Sequence, residues 1–419
     1  MRPVIVVGAG AAGLMAAISA SGRGRPVIVL ESTSDGGRKI LISGGGRCNV
    51  LPRALQPERF VSDSPAQLVR RMLRSWPLEH QKSFFEKDLG IPLKLEDEAG
   101  KYFPVSNRAR DVRDGLIQHA RERGVTFEFG TRVTGLSPLS PGWRIETTRG
   151  VREAEVVVVA AGGRSVPATG SDGAVLDVLA ASGHTVHPTY PALTPIVQEP
   201  AAYASLSGVS LTVRIRARWN GRDTEATGGF LFTHRGYSGP SVLDVSHVAV
   251  RSRLTGGPRA TLRVRWCSRD ADAWQQAFQA LQPQGALVQS ALARELPARL
   301  AERLLADAGV PAGRRAAELT RAERQSLIET LTAFDLPWTG DEGYKKAEVT
   351  GGGVALTDVD PKTLESRRAP GLFLCGEILD AFGPIGGHNF AWAWATGRAA
   401  GLGNDGKLTS RRTISWPQA

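Results

Sequence analysis

The most constraining feature of this 419-residue sequence lies near its start, in Gly8-Ala9-Gly10-Ala11-Ala12-Gly13. These six residues directly follow the apolar run Val4-Ile5-Val6-Val7 and open the Ala-rich stretch Leu14 to Ser21, after which Val27 to Leu30 is apolar again. Strand, glycine turn, helix and strand make a βαβ unit, which commits this part of the chain to a parallel sheet covered by helices. In that context G-x-G-x-x-G is informative. The first two glycines permit a tight turn and close approach of the backbone to a pyrophosphate, and the third lets helix and strand pack closely. The N–H groups at the helix start, with roughly half a positive charge from the helix dipole, then face the phosphates. Gly8, Gly10, Ala11, Ala12 and Gly13 are therefore expected to hold a dinucleotide. Glu31 ends the second strand, 18 residues after Gly13, where a carboxylate accepts hydrogen bonds from ribose hydroxyls, with Ser32 beside it. A 2′-phosphate would be repelled there, which argues against NADP at this site.

FAD and NAD both fit that turn, and the remainder of the chain discriminates between them. Val156 to Val159 is a buried-type strand that stops in Ala160-Ala161-Gly162-Gly163, small residues that allow close passage beside an extended adenine dinucleotide. Leu372-Phe373-Leu374-Cys375-Gly376-Glu377 is another strand, here ending in glycine and a carboxylate. It precedes the loop Gly383-Pro384-Ile385-Gly386-Gly387-His388-Asn389 and a helix-like stretch from Phe390 to Gly401. A second helix N-terminus of this kind can stabilise negative charge at the N1/C2 side of a reduced flavin. The pattern points to FAD.

Between these ends the texture changes. Pro65 to Phe85 carries apolar residues on one helix face, and Val112 to Arg123 reads as a helix closed by Gly124. From Pro188 onward, Pro191, Pro195 and Pro200 punctuate the chain. Val209, Leu211, Val213, Ile215 and Ala217 then alternate with Ser210, Thr212, Arg214, Arg216 and Arg218, the period of a half-exposed antiparallel strand. Ala271 to Leu331 is rich in Ala, Leu, Arg, Glu and Gln at helical spacing. The expected fold class is α/β, a Rossmann-like FAD-binding domain. The expected division is an FAD-binding domain of residues 1–188 and 342–419, an inserted antiparallel β unit at 189–268, and a helical subdomain at 269–341.

Composition narrows the setting. Hydrophobic content of 42% and charged content of 22% suit a soluble globular protein, and no apolar run reaches the roughly 20 residues of a membrane span. The first strand begins three residues after Met1, so no signal peptide is expected. Cys48, Cys267 and Cys375 are few, odd in number and widely spaced, which fits a reducing cytoplasm and no metal site. The net charge of +11 could serve a polyanion, but the arginines are scattered among Ala, Gly and acidic residues, so the expectation is a solvated basic surface and no nucleic-acid partner.

Several segments together resemble a known family. Gly37 to Asn49 (GRKILISGGGRCN), Thr350-Gly351-Gly352-Gly353, Pro361 to Ser366 and Cys375 to Asp380 (CGEILD) are similar to the BaiN-like and aminoacetone-oxidase-like bacterial flavoproteins, with the likeness running from Val4 to about Gly401. The resemblance implies an FAD-binding domain of the two-dinucleotide-binding type, interrupted by an antiparallel β-barrel-like unit and a helical unit. It implies that Gly8, Gly10, Gly13 and Glu31 hold the ADP half and that Val133 lies near the adenine. It further implies that the segment from Arg38 to Asn49, with Lys39, Ser43, Gly44, Gly46 and Arg47, runs beside pyrophosphate and flavin. Gly376, Glu377, Gly387, His388, Asn389 and Phe390 are then implied to grip the ribityl chain and the isoalloxazine. Many relatives have Tyr in place of His388, and fewer aromatics than Phe390-Ala391-Trp392-Ala393-Trp394.

For catalysis the flavin supplies the redox chemistry and the protein supplies binding, orientation and proton transfer. The candidates are Arg47 on a substrate anion, Cys48 and Asn49 beside the ring, and His388 as a proton donor. For Cys48 a packing role is the expected one, because no partner histidine is identifiable. The expected activity is hydride transfer between FAD and a small organic substrate. It would be an amine- or alcohol-type oxidase using O2, or a reductase of a conjugated ketone with NADH or NADPH as transient reductant, since no second G-x-G-x-x-G follows a strand. A flavin-dependent RNA-modifying enzyme and a non-enzymatic redox sensor are the alternatives.

Overall fold

Four valine-rich segments and one short C-terminal strand build the sheet that carries the glycine turn. In a computed structural model, which describes residues 2–403, the chain divides into two compact units, one of residues 1–189 and 349–419 and one of residues 190–348. Residues 404–419 of the expected FAD-binding segment lie outside the described residues. The elements of the first unit include β1 (Val4–Val7), α1 (Ala11–Ala20), β2 (Val27–Glu31), α2 (Ala109–Glu122), β3 (Val125–Phe129) and β4 (Val156–Val159). The strands form a parallel sheet in the order Leu372–Leu374, β4, β1, β2, β3. Val4 pairs with Val156 on one side and Val27 on the other. β1 and β4 are buried along their whole length, which is why they read as continuous apolar runs.

The C-terminal helix His388–Gly403 packs against α1 with almost no side chain between the backbones. A β-carbon on Gly397 would run into the Ala12 carbonyl oxygen, and one on Gly401 into that of Ala16. Chain order is thus reversed in space, with the last described helix beside the first.

The expected helix over 65–85 is broken. Ala66–Arg74 is helical, the chain turns at Ser75-Trp76-Pro77, and Leu78–Ser83 resumes. Pro77 has no N–H to donate and disfavours helical backbone at Trp76.

The second unit has a seven-stranded antiparallel sheet and one apolar core. Its central strands are β5 (Ser210–Trp219) and β6 (Arg222–Phe232); the helix α3 (Pro240–Leu254) follows, then β7 (Thr261–Arg265) and β8 (Phe334–Asp335). The β portion expected over Ala192 to Trp266 therefore contains a 15-residue helix. Its sequence, Pro240 to Leu254, hides the helix because it is β-branched and buried on most sides, so no polar face marks the 3.6-residue period. Helices from Ala271 to Thr332 share this core with the sheet through Trp274, Phe278, Leu300, Leu304 and Leu327. Treating residues 189–268 and 269–341 as separate folding units remains a proposal.

Candidate functional site

Every residue expected to bind the cofactor or act in catalysis falls in the first unit. The glycine turn divides its labour by geometry. Gly8 has φ +100° and passes so close to β4 that a β-carbon would lie 2.6 Å from the Ala160 carbonyl oxygen, while one on Gly13 would enter the Gly8 carbonyl. Gly10 faces open space with no atom within 4 Å of such a β-carbon. It is also the N-cap of α1, and no side chain caps that end. The first-turn N–H groups of Ala11, Ala12 and Gly13 have no intrahelical acceptor, so they form an anion cradle.

Glu31 is buried at the edge of the cradle. One carboxylate oxygen accepts from the Ala9 N–H at 2.7 Å, and the other from the Thr33 N–H and hydroxyl, both at 2.7 Å, and from the Ser32 hydroxyl at 3.3 Å. The Thr131 N–H donates to the Glu31 backbone oxygen, and Val133 is buried two residues further on. On the other side of β1, Ala160 donates its N–H to Val7, and Gly162 turns back against Ser171.

The end of the strand Leu372–Leu374, which leads toward the second helix, adjoins the start of α1. Gly376 has φ +79°, and a β-carbon there would come 2.6 Å from that of Ala12. Its N–H donates to the Thr396 hydroxyl at 3.0 Å, and its carbonyl accepts from the Trp392 indole at 3.0 Å. Neither anchor is marked in the sequence, because Trp392 and Thr396 sit inside an Ala- and Gly-rich helix whose only local signal is packing. Asn389 spends its amide on the preceding loop, donating to Gly383 O at 3.0 Å and accepting from Gly383 N at 2.9 Å. Phe390 stacks on Trp394 at 5.4 Å. Gly387 passes against the backbone of Leu51.

Glu377 draws in residues from three distant segments. Lys39 Nζ donates to its Oε2 at 2.6 Å, the Ser165 hydroxyl to its Oε1 at 2.7 Å and the Thr350 N–H to the same oxygen at 3.0 Å. Ser165 carries no motif, Thr350 opens the family-like Thr350 to Gly353 segment without any sign of this partner, and both are adjacent to Glu377 only through the fold. Asp380 likewise ties down residues 62–64, its buried carboxylate accepting from the Ser62 hydroxyl and the Asp63 and Ser64 N–H groups.

The Arg38 to Asn49 segment makes a helical turn followed by the left-handed Gly44-Gly45-Gly46 run. Arg38 turns to Asp35, and Ser43 donates to Ile40 O at 2.8 Å. Arg47 pairs with Glu96 at 2.8 Å and lies 4.0 Å over the Phe103 ring. Cys48 is enclosed, and burial pushes its thiol up to about 12, so it supplies no thiolate near neutral pH. Asn49 is half-buried beside Gly44.

His388 is buried, and burial pushes its imidazole down to about 4. It is neutral at physiological pH. Nδ1 faces the Ile385 carbonyl at 3.3 Å and so carries the proton. Nε2 is buried and makes no hydrogen bond among the described residues, and the Ala54 backbone is a second polar neighbour of the ring.

The family model of the HI0933-like protein Rossmann domain matches residues 2–403. The chain belongs to the HI0933-like family. It is a Rossmann-fold flavoprotein that binds FAD and works as an FAD-dependent oxidoreductase, the class to which the family-like segments pointed. This HI0933-like chain is 32% identical over 402 residues to the ribosomal RNA dihydrouridine synthase of Escherichia coli K12, covering 94% of itself and 95% of that protein. It is also 32% identical over 409 residues to the 3-dehydro-bile acid delta(4,6)-reductase of Clostridium scindens, covering 96% of itself and 98% of that relative. Among solved structures, the 3-ketosteroid-delta4-(5alpha)-dehydrogenase of Rhodococcus jostii RHA1 aligns with 96% of this chain and 100% of its own, at 16% identity and a TM-score of 0.49. No helix among the described residues is long and apolar enough to cross a membrane.

Proposed function

We propose that this flavoprotein reduces a carbon–carbon double bond conjugated to a carbonyl, with NADH or NADPH restoring the flavin. The observation that supports it most is the contact of Gly376 with Ala12, which sets the start of the Gly376 to Phe390 segment beside the anion cradle of α1, so that one FAD can reach both. The names of the two relatives support the reaction type. A delta(4,6) steroid ketone and a uracil ring differ in everything except an alkene conjugated to a carbonyl. When bound and reduced, the flavin supplies hydride to the β-carbon of such a group, the α-carbon takes up a proton, and NAD(P)H supplies the two electrons.

The residues take roles accordingly. The N–H groups of Gly10, Ala11, Ala12 and Gly13 hold the pyrophosphate, and Glu31, Ser32 and Val133 the adenosine end. Arg38, Lys39, Ser43, Gly44, Gly46 and the small residues Ala160, Ala161 and Gly162 line the cofactor. Gly376, Glu377, Gly387, Asn389 and Phe390 hold its flavin end. Arg47 uses one edge for Glu96 and keeps other N–H donors to orient a substrate carbonyl. His388 stays neutral and positions the substrate, which leaves the α-carbon proton to solvent. Cys48 packs. The three free cysteines support the cytoplasm as its compartment.

Anaerobic reduction of the purified yellow protein with NADH, NADPH and a panel of amines tests the reading. We expect a nicotinamide donor to bleach the flavin fastest and a 4-ene-3-keto steroid to restore the colour with gain of two hydrogens. Bleaching by amines, with O2 the better acceptor, would instead make it an oxidase. A second substrate reading, uracil within ribosomal RNA, is favoured by the net charge of +11 and by the E. coli relative. Mass spectrometry of ribosomal RNA treated with reduced enzyme separates the two.

A further inference from the structure

The outward face of β5, β6 and β7 carries arginines in cross-strand register. Val213, Ile215 and Ala217 of β5 point into the core of the second unit, so Arg214, Arg216 and Arg218 face solvent. Pairing with β7 sets Arg214 opposite Arg265 and Arg216 opposite Arg263. Like charges directly opposite one another destabilise a sheet. Three carboxylates offset part of that. Glu225 pairs with both Arg214 and Arg216, Asp335 on β8 pairs with Arg263 at 2.8 Å, and Asp223 lies 3.7 Å from Arg218. Arg265 donates to the backbone carbonyls of Ser268 and Arg269. Glu329 acts on Arg263 as a fourth carboxylate. Five guanidiniums thus face four carboxylates, and a polyanion would relieve the excess.

Spacing and neighbours select the polyanion. Alternate residues on a strand are about 6.8 Å apart and adjacent strands about 4.8 Å apart, so the face is a grid of donor forks on the scale of successive phosphates along a polynucleotide. A guanidinium meets a phosphate through two parallel hydrogen bonds. The outward positions beside the arginines are Thr212, Thr227 and Thr261, which offer hydroxyls, and the single exposed Leu231 further along β6 is too little apolar surface to enter a bilayer. We propose that this sheet face docks the phosphate backbone of RNA. The proposal rests for its purpose on the ribosomal RNA reading above, but binding and turnover are separate observables.

The test uses FAD-loaded full-length protein and a fluorescent uridine-rich RNA oligonucleotide, followed by anisotropy between about 50 and 200 mM salt. The triple variant Arg214→Gln, Arg216→Gln, Arg263→Gln is set against a control that loses the same charge elsewhere, Arg70→Gln, Arg71→Gln, Arg74→Gln. We expect the sheet variant to bind at least tenfold more weakly, with a log–log salt slope flatter by about 2, at roughly 0.7 for each phosphate no longer neutralised. The control should stay within about twofold of the parent. Flavin content and thermal unfolding report whether each variant is folded, and Arg265→Gln alone, expected to weaken binding about threefold, replaces the triple variant if that fails to fold. Equal weakening in the sheet variant and the control would overturn the proposal, as would parent protein that binds anionic-lipid vesicles but not RNA. Failure of the parent to reduce any enone counts against the proposed reaction and leaves this surface standing.

Discussion

The two ends of the proposed cofactor site are built in opposite ways. The end proposed for the nucleotide is local: Gly8 to Gly13 and Glu31 lie within one βαβ unit, and its hydrogen bonds, such as Ala9 N–H to Glu31 at 2.7 Å, join residues near in sequence. The end proposed for the flavin is assembled from remote pieces. Glu377 is held by Lys39, Ser165 and Thr350, and the Gly376 backbone is clamped by a helix that begins twelve residues later at His388. A local motif tolerates little change in its glycines, whereas an assembled site spreads its dependence over many partners of modest individual weight.

The largest expected contrast lies within the glycine turn. Gly13→Val drives a side chain into the Gly8 carbonyl and should cost about 4 kcal/mol or more, read as loss of soluble protein. Gly10→Val points into open space, so the apoprotein should stay within about 1 kcal/mol of the parent by denaturant unfolding while flavin content collapses. Equal damage from both would break the distinction between a packing glycine and a ligand-facing one.

At the assembled end, Thr396→Val strands the buried Gly376 N–H and should cost about 1 to 3 kcal/mol, with lowered FAD occupancy restored by Thr396→Ser. His388 sharpens the comparison through pH. Its pKa is about 4 in the folded chain against an ordinary 6.5, so below 6.5 the unfolded chain binds the extra proton. Stability owed to the neutral ring is therefore present above pH 6.5 and lost as pH falls toward 4. His388→Gln should flatten that loss by about 1 to 3 kcal/mol at the acid end, measured by urea unfolding across the window. His184 and His247, which are also lowered by burial, keep the remainder. The smallest effect is expected from Lys39→Met. The pair it forms with Glu377 is partly solvated, so about 1 kcal/mol of stability and a several-fold change in FAD affinity are expected by titration.

The same contrast explains what could be read from residues alone. The βαβ start, the parallel strand Val156–Val159 and the alternation along β5 are patterns of period or context, and they carry through tertiary structure unchanged. α3 leaves no trace in the pattern because burial on most sides erases its polar face, and Pro77 outweighs the apolar spacing around it. Glu377 could be singled out as a carboxylate at a strand end, but Ser165, Thr350, Trp392 and Thr396 become partners only after the sheet is closed.

The edge strand Leu372–Leu374 and the Gly397/Gly401 contact with α1 have a bearing on synthesis. During translation the glycine turn is made long before the helix His388–Gly403 that packs against it. The pocket therefore stays half-built until that helix has been made, and flavin loading waits for the two segments to meet.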